Sequence, residues 1–429
     1  MHFRFSLFKV TLLKGTYKTP LEKKKIINDP VYGFITIPDG LIYEIISHPY
    51  FQRLRRIKQM GLNDFVYPGA LHTRFHHALG SMHLMSVALG NLRQKGHEIN
   101  NHEFESMLSA ILLHDIGHGP FSHALESTLL LNGNHEQITV IIMQYLNRIF
   151  NGRLQTAIEV FQNKYPKPFL HQLVSSQLDI DRLDYLQRDS FFTGVSEGTI
   201  GSDRIINMLN VEDGQLVVEE KGIYSIENFL NARRLMYWQV YLHKTSVAAE
   251  KMMVSLIRRA QFLMQKNKEV PCTPNLELFL REPVEAQSLA TDLHLLDAYC
   301  QIDDYDIWSG IKAWQYHRDP VLSNISKMFL TRDLFQIILH LEPVEVNLES
   351  LKEKIAAHFN LTSPEDLNFL ICQGVITNAA YISGNSGISI LNKHGTMIDI
   401  ANASDLPNIS ALGKIVKKYY LTWPKSVNL

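Results

Sequence analysis

Three imidazoles and a carboxylate fall within twelve residues, LLHDIGHGPFSH, 112 to 123. Leu108, Ile111 and Leu112 read as the buried face of a helix that ends at His114 and Asp115. Burying an adjacent His–Asp pair costs several kcal/mol unless its charge is matched, and a divalent cation is the usual match. Two outlying segments offer further donors. GALHTRFHHALG (69–80) carries His72, His76 and His77, and LDIDRLDYLQRDS (178–190) carries Asp179, Asp181, Asp184 and Asp189. Asp181, Asp184, Tyr185 and Arg188 share one helical face. Two imidazoles with two carboxylates suit Mn, Fe, Zn, Ni or Co and leave positions open for water. Pro120 after Gly119 predicts a helix start beside His118, Ser122 and His123, and free N–H groups at a helix start suit an anionic phosphate.

The elements that must position these side chains are mostly helical. VYGFITI (31–37) reads as a short strand, and LEKKKIINDP before it as a polar lead-in. Helices are predicted over 41–60, 76–95, 104–116, from Pro120, over 135–150, from Asp179 to Arg188, and as one long region over 224–263. Residues 286–340 read as helical and 348–359 as a helix; ICQGVITNAAYI and GISILNKHGTMIDI look like strands. The fold expected is mainly α: a helical core with a short N-terminal strand element and a small α+β C-terminal module. The expected division is an extension (1–28), a catalytic core (29–275), a helical extension (276–342) and the C-terminal module (343–429).

The chain has 429 residues, 45% of them hydrophobic, and a net charge of −1, which excludes a disordered chain and gives no reason to expect nucleic-acid binding. No stretch approaches the ~20 apolar residues of a membrane span. Cys272, Cys300 and Cys372 are widely spaced, which fits a reducing cytoplasm rather than a disulfide framework. MHFRFSLFKVTLL is interrupted by Arg4 and Lys9 and is not read as a signal peptide; residues 1–14 fit an upstream start as well as a native extension.

DPVYGFI (29–35), FQRLRRIKQMG (51–61), YPGALHTRFHHALG (67–80), LLHDIGHGPFSH, His135-Glu136 and DIDRLDYLQRD (179–189) follow one another in an order that resembles the HD superfamily of metal-dependent phosphohydrolases. The string is most similar to the deoxynucleoside triphosphate triphosphohydrolases within it, over about residues 29 to 260. The segment before Asp29 is too short for the sterile-alpha-motif domain that one branch of that family carries. The resemblance implies His77, His114, Asp115 and Asp181 as ligands of one divalent ion (Mn, Fe, Zn, Ni, Co or Mg). It implies His118, His123 and the His135-Glu136 pair as catalytic groups, with His123 near the scissile phosphate. Gln59, Arg74, Arg182, Tyr185, Asp189, Arg233 and Tyr241 match substrate positions; Arg182 stands where relatives often have Lys, which changes phosphate geometry. The implied reaction splits a dNTP at its α-phosphorus into deoxynucleoside and inorganic triphosphate, with Tyr241 packed on the sugar. An effector nucleotide and a homo-oligomer, dimer or tetramer, are also implied.

Blander roles stand beside these. His72, His76, His97, His102 and His171 read as structural histidines. Asp184 reads as a capping or pairing group. Arg53, Arg55, Arg56 and Lys58 read as a solvated helix face or as an effector or interface site. Tyr237 and Tyr241 fit core aromatics as well as a substrate wall. Two other functions compete: hydrolysis of another nucleotide or phosphate ester, and a nucleotide sensor without turnover.

Overall fold

The computed structural model describes residues 25–378, 381–382, 384, 387–406, 409 and 412–429. The reading of residues 1–14 therefore lies outside the described residues, as does the expected extension (1–28) apart from its last four positions. There the polar lead-in is a strand: β1 (Lys25–Asp29) pairs antiparallel with β2 (Gly33–Ile37), because Asp29 caps the turn by accepting from the N–H groups of Val31 and Tyr32.

The helix predicted over 41–60 is broken. Pro49 cannot donate within a helix, so α1 (Leu41–Ser47) stops and Pro49 becomes the first residue of α2 (Pro49–Gln52), followed by a 3-10 turn over Arg53–Arg56. Arg53 does not lie on a solvated face. It is fully buried and donates to the carbonyls of Ile116, His118, Tyr299 and Ile302.

The centre of the molecule is α3 (Arg74–Gln94), α4 (Asn101–Leu113) and a helix beyond them, described below. Thr73 and His76 close a capping box at the start of α3, and Asn100 with Glu103 does the same for α4. No helix begins at Pro120. Phe121 and Ser122 both take left-handed backbone (φ 54 and 51), which a helical start does not allow, and the chain makes a 3-10 turn over Ser122–Ala124 before α5 (Glu126–Leu129). The expected helix-start phosphate site is therefore absent.

Next come α6 (His135–Ile149), α7 (Gln155–Phe161), α8 (Pro168–Val174) and α9 (Ile180–Thr193). Asp179 caps α9 by accepting from Arg182 N–H at 2.8 Å. α3 packs against both α4 and α9, which brings the three donor segments to one place. α10 (Ser202–Met208) leads into the hairpin β3 (Leu209–Glu212) and β4 (Gln215–Glu219).

The region predicted as one helix over 224–263 is two: α11 (Ile223–Met236) and α12 (Lys244–Gln265), joined by a π-helical turn over Tyr237–Tyr241. The wider turn swings Tyr237 and Tyr241 out of α-helical register. α13 (Pro274–Arg281), α14 (Leu293–Tyr299), α15 (Asp304–Trp314) and α16 (Pro320–Leu330) follow. The helical reading of 286–340 ends early, at a strand, β5 (Gln336–His340).

Helix α17 (Leu348–Phe359) matches its prediction. The last strands are β6 (Cys372–Asn378), β7 (Ser389–Leu391), β8 (Met397–Asp399) and β9 (Val416–Trp423), with the short helix α18 (Ile400–Ala403) after β8. They build two sheets, ordered β3-β4-β7-β8 and β5-β9-β6. The parallel β4–β7 pairing joins the C-terminal segment to the hairpin beside α10. No helix among the described residues is long and apolar enough to cross a membrane.

Candidate active site and metal centre

His77 lies one turn into α3, His114 caps the end of α4, Asp115 follows it, and Asp181 sits in the first turn of α9. Their free atoms converge. His77 Nε2 is 3.0 Å from Asp181 Oδ1, 3.7 Å from Asp115 Oδ2 and 3.2 Å from His114 Nε2; His114 Nε2 is 3.3 Å from Asp181 Oδ1.

The ring protons can be assigned from their outer partners. His114 Nδ1 meets the carbonyl of Ile111 at 2.6 Å, and a carbonyl only accepts, so Nδ1 carries hydrogen. His77 Nδ1 meets Asp184 Oδ2 at 2.7 Å. Burial would raise the Asp184 carboxyl, but Arg188 and His77 hold it at about 2, so it is ionised and accepts. Both Nε2 atoms are thus lone-pair donors aimed at the carboxylates.

His77, His114 and Asp181 face one point, with Asp115 beside them and paired with Arg74, and such a set of electron-pair donors needs a positive charge between them. Burial opposes charge on His77, yet Asp181 and Asp184 outweigh it and lift the imidazole to about 10, so without a cation a proton on Nε2 takes the place that a metal ion would fill. The set of two imidazoles and two carboxylates, each imidazole oriented by an outer acceptor, fits a divalent ion.

Asp184 is therefore more than a capping group. It accepts from His77 and, at 2.9 and 3.0 Å, from Arg188, which also donates to Asp29 at 2.8 Å. Gly80 makes room for this pair: a Cβ there would stand 2.0 Å from Asp184 Oδ1 and 2.1 Å from Arg188 Nη2.

A second cluster adjoins the first. His118 stacks on His135 with ring centroids 3.9 Å apart and 14° between planes, and its Nε2 lies 3.4 Å from Asp115 Oδ1. His123 stands edge-on to both rings, and one nitrogen of each of the three imidazoles lies within 4.8 Å of the others, close enough to relay a proton or to hold a metal ion. Burial and then Arg74 hold the His118 imidazole well below its ordinary value, so it is neutral.

The carboxylate partner of this cluster is Glu126, not Glu136. Glu126 Oε1 lies 2.9 Å from His135 Nδ1 and Oε2 lies 3.1 Å from His123 Nδ1. Burial would raise Glu126, but hydrogen bonds from His123 and His135 bring it well below the carboxylate range. Glu136 is exposed and stands away from the cavity. Consecutive helical residues are about 100° apart, so a helix that turns His135 inward turns Glu136 outward. The S-H-x-x-E spacing from His123 to Glu126 was the sequence signal for it.

Both clusters border a cavity of about 390 Å³ whose walls include Gln59, Arg74, Arg182, Tyr185, Asp189 and Tyr241. Arg74 pairs with Asp115 and donates to Ser122 Oγ at 2.9 Å. Arg182 pairs with Asp179, and its Nε is buried without a hydrogen-bond partner. Asp189 accepts from Tyr241 OH at 2.8 Å and meets His72 Nε2 at 2.6 Å, so one carboxylate fixes the Tyr241 ring from behind. Tyr185 and Tyr237 pack edge-on against Tyr241. Gln59 Oε1 and Asn63 Oδ1 are buried acceptors on the cavity wall without partners.

Arg233 stands apart. It is buried beside the Tyr185 wall with Nε and Nη1 unpaired, and it does not line the cavity. Glu250, a lone helical carboxylate that carried no sequence signal, does line it; burial pushes its carboxyl to about 7 against the pull of Lys251.

Residues 74–189 match the HD domain, and residues 200–270 match an HD-associated region. The chain belongs to the HD-domain family. Within it, the chain is one of the superfamily's metal-dependent phosphohydrolases, close to the deoxynucleoside triphosphate triphosphohydrolases. A crystal structure of a phosphohydrolase from Bacteroides thetaiotaomicron is similar over 94% of this chain and 100% of its own, at 50% identity and a TM-score of 0.90. The uncharacterized protein YwfO of Bacillus subtilis is 35% identical over 350 residues, 80% of this chain and 76% of that one. The deoxynucleoside triphosphate triphosphohydrolase SAMHD1 of Homo sapiens is 25% identical over 390 residues, 79% of this chain and 59% of that protein.

Proposed function

We propose that this site hydrolyses deoxynucleoside triphosphates to deoxynucleoside and inorganic triphosphate. The observation that carries the reading is one cavity of about 390 Å³ bordered at once by the metal-type donor set, the imidazole–carboxylate cluster and the Tyr185–Tyr241 wall. The likeness to SAMHD1 triphosphohydrolases supports it.

A divalent ion held by His77, His114, Asp115 and Asp181 would polarise a phosphoryl oxygen. Arg74 and Arg182 supply positive charge to the phosphates, each giving up part of its contact with a carboxylate to do so. Neutral His118 can accept a proton from water. Ionised Glu126 accepts hydrogen bonds from Nδ1–H of His123 and His135, which leaves their Nε2 atoms free to take up a proton and pass it to the leaving 5′ oxygen. His123 is exposed at the cavity edge, where a leaving group would depart. The Tyr241 ring, braced by Asp189, meets a deoxyribose face and excludes a 2′ hydroxyl by bulk.

The test is a product assay on protein loaded with each candidate metal. All four dNTPs are supplied together, so that any effector nucleotide is present, with the four NTPs as controls. Deoxynucleoside and triphosphate from wild type, absent from Asp181→Ala, is the expected result. Turnover of another phosphate ester with dNTPs untouched would replace the substrate, and no turnover by folded, metal-loaded protein would favour a sensor. We further propose a homo-oligomer working in the cytoplasm; light scattering on the full chain with and without nucleotide tests the assembly.

A further inference from the structure

The loop from Gly117 to Ser122 carries His118 and leads into His123, yet its backbone is unfavourable on its own, with Phe121 and Ser122 both left-handed and neither a glycine. Thr139 Oγ1 accepts Gly117 N–H at 3.0 Å and Arg74 donates to Ser122 Oγ, and further contacts come from residues 299–304, beyond both stretches that match the family. Tyr299 OH donates to Gly117 O at 2.8 Å. The Arg53 guanidinium bridges the carbonyls of Ile116 and His118 to those of Tyr299 and Ile302.

Asp304, the first residue of α15, is 3% exposed. Its Oδ1 accepts Phe121 N–H at 2.8 Å and its Oδ2 accepts Lys58 N–H at 2.9 Å. Lys58 pairs across an isolated bridge with Thr73, at the start of α3, and precedes the cavity residue Gln59. One carboxylate thus ties the turn that carries Gln59 to the loop that carries His118, using both of its oxygens.

We propose that Asp304 is a positioning residue of the phosphohydrolase site: its carboxylate fixes the Phe121–Ser122 turn against the Lys58–Gln59 turn and so sets where His118 and His123 point.

The charge is part of the device. Two N–H donors on one ionised carboxylate are stronger than the same bonds to a neutral acceptor. Burial raises the Asp304 carboxyl to about 6 against its two N–H bonds and Lys58, so it is ionised at neutral pH and neutral in mild acid. The charged groups facing it are Lys58, itself paired with Asp64, and Asp303, itself paired with Arg56.

Asp304→Asn tests this. The amide has one accepting atom, so one of the two N–H groups faces an NH₂ instead, while the volume is unchanged. On metal-loaded full-length protein near pH 7.5, turnover of phosphate substrate is expected to fall about 100-fold through kcat. KM and metal content hold, and the melting temperature stays within about 2 °C or rises, since a buried charge is removed. Near pH 5 the gap between wild type and variant narrows to about tenfold, because about nine in ten wild-type carboxylates are then protonated. Amide hydrogen exchange speeds up in 57–60 and 117–123 and stays unchanged in α3. A kcat within about twofold of wild type, or an equal loss at both pH values with a matching fall in melting temperature, overturns the proposal. The proposal rests on the phosphohydrolase class and not on the dNTP reading. The exchange arm needs no substrate: unchanged protection in both segments refutes it even if dNTPs are not turned over.

Discussion

Asp184→Asn isolates what orients the metal-type cluster. The wild-type carboxylate is fully buried, with Oδ2 shared between His77 Nδ1 at 2.7 Å and Arg188 Nε at 2.9 Å, and Oδ1 on Arg188 Nη2 at 3.0 Å. Asparagine has one accepting oxygen for these three donors. At the Oδ2 position that oxygen still meets His77 Nδ1 and Arg188 Nε, so the NH₂ faces Arg188 Nη2 and the acceptor left for His77 is neutral. His77 Nδ1 keeps its proton but loses the ionised acceptor that makes Nε2, the atom facing Asp181 and His114, a stronger electron-pair donor. The side chain cannot swing aside, since Gly80 already lies too close for even a Cβ. Loss of such an outer partner costs about 10- to 100-fold in metal affinity, or about 1.4–2.7 kcal/mol. Because Arg188 keeps its bond to Asp29, the stability cost falls at or below the lower end of the about 3–5 kcal/mol seen when a buried pair is broken. Competition against a metal buffer, with bound metal read by elemental analysis, measures the first quantity, and chemical denaturation of metal-free protein measures the second. An affinity within about threefold of wild type would refute the role given to the Asp184 carboxylate as the outer partner of His77.

Three further outcomes follow from the same geometry. Glu126→Gln removes the charge and leaves one accepting oxygen for His123 and His135 together, so kcat falls by about 10²–10⁴ while bound metal, read by elemental analysis, is unchanged. Tyr241→Ala removes the ring braced by Asp189, so discrimination against NTPs, read as the ratio of kcat/KM values, relaxes by about 10- to 200-fold. Asp304 has a folded pKa near 6, raised by burial above an unfolded value of about 3.9. The folded protein therefore holds this proton more tightly. The stability so gained is complete below the unfolded value and is lost as pH rises through about 6. Relative to Asp304→Asn, wild type loses about 2 kcal/mol between about pH 4 and pH 7, measurable by urea titration of both proteins across that range.

The donors were legible because their types are scarce together: His77, His114, Asp115 and Asp181 could be named before any contact was known, and packing of α3 against α4 and α9 brings them together. Their outer partners were harder to read. Asp184 shares a helix face with Asp181, but only the distance to His77 separates an orienting carboxylate from a cap. Glu136 stood beside a predicted imidazole, and adjacency in sequence is separation on a helix, so the partner came from the preceding turn as Glu126. The helix expected at Pro120 failed because that expectation weighed proline alone; tertiary bonds from Asp304 and Tyr299 hold a left-handed turn there. Pro49 could have been read as a break in 41–60, since a mid-helix proline removes a donor. The π turn at Tyr237–Tyr241 has no composition of its own, and it is what presents those rings to the cavity.

The central claim is tested most directly by running the reaction in ¹⁸O-labelled water with metal-loaded protein and mixed dNTPs, then weighing the products. Attack at the α-phosphorus with loss of the 5′ oxygen predicts one label in inorganic triphosphate and an unlabelled deoxynucleoside. Deoxynucleoside monophosphate with pyrophosphate, a labelled nucleoside, or intact dNTPs would contradict the account.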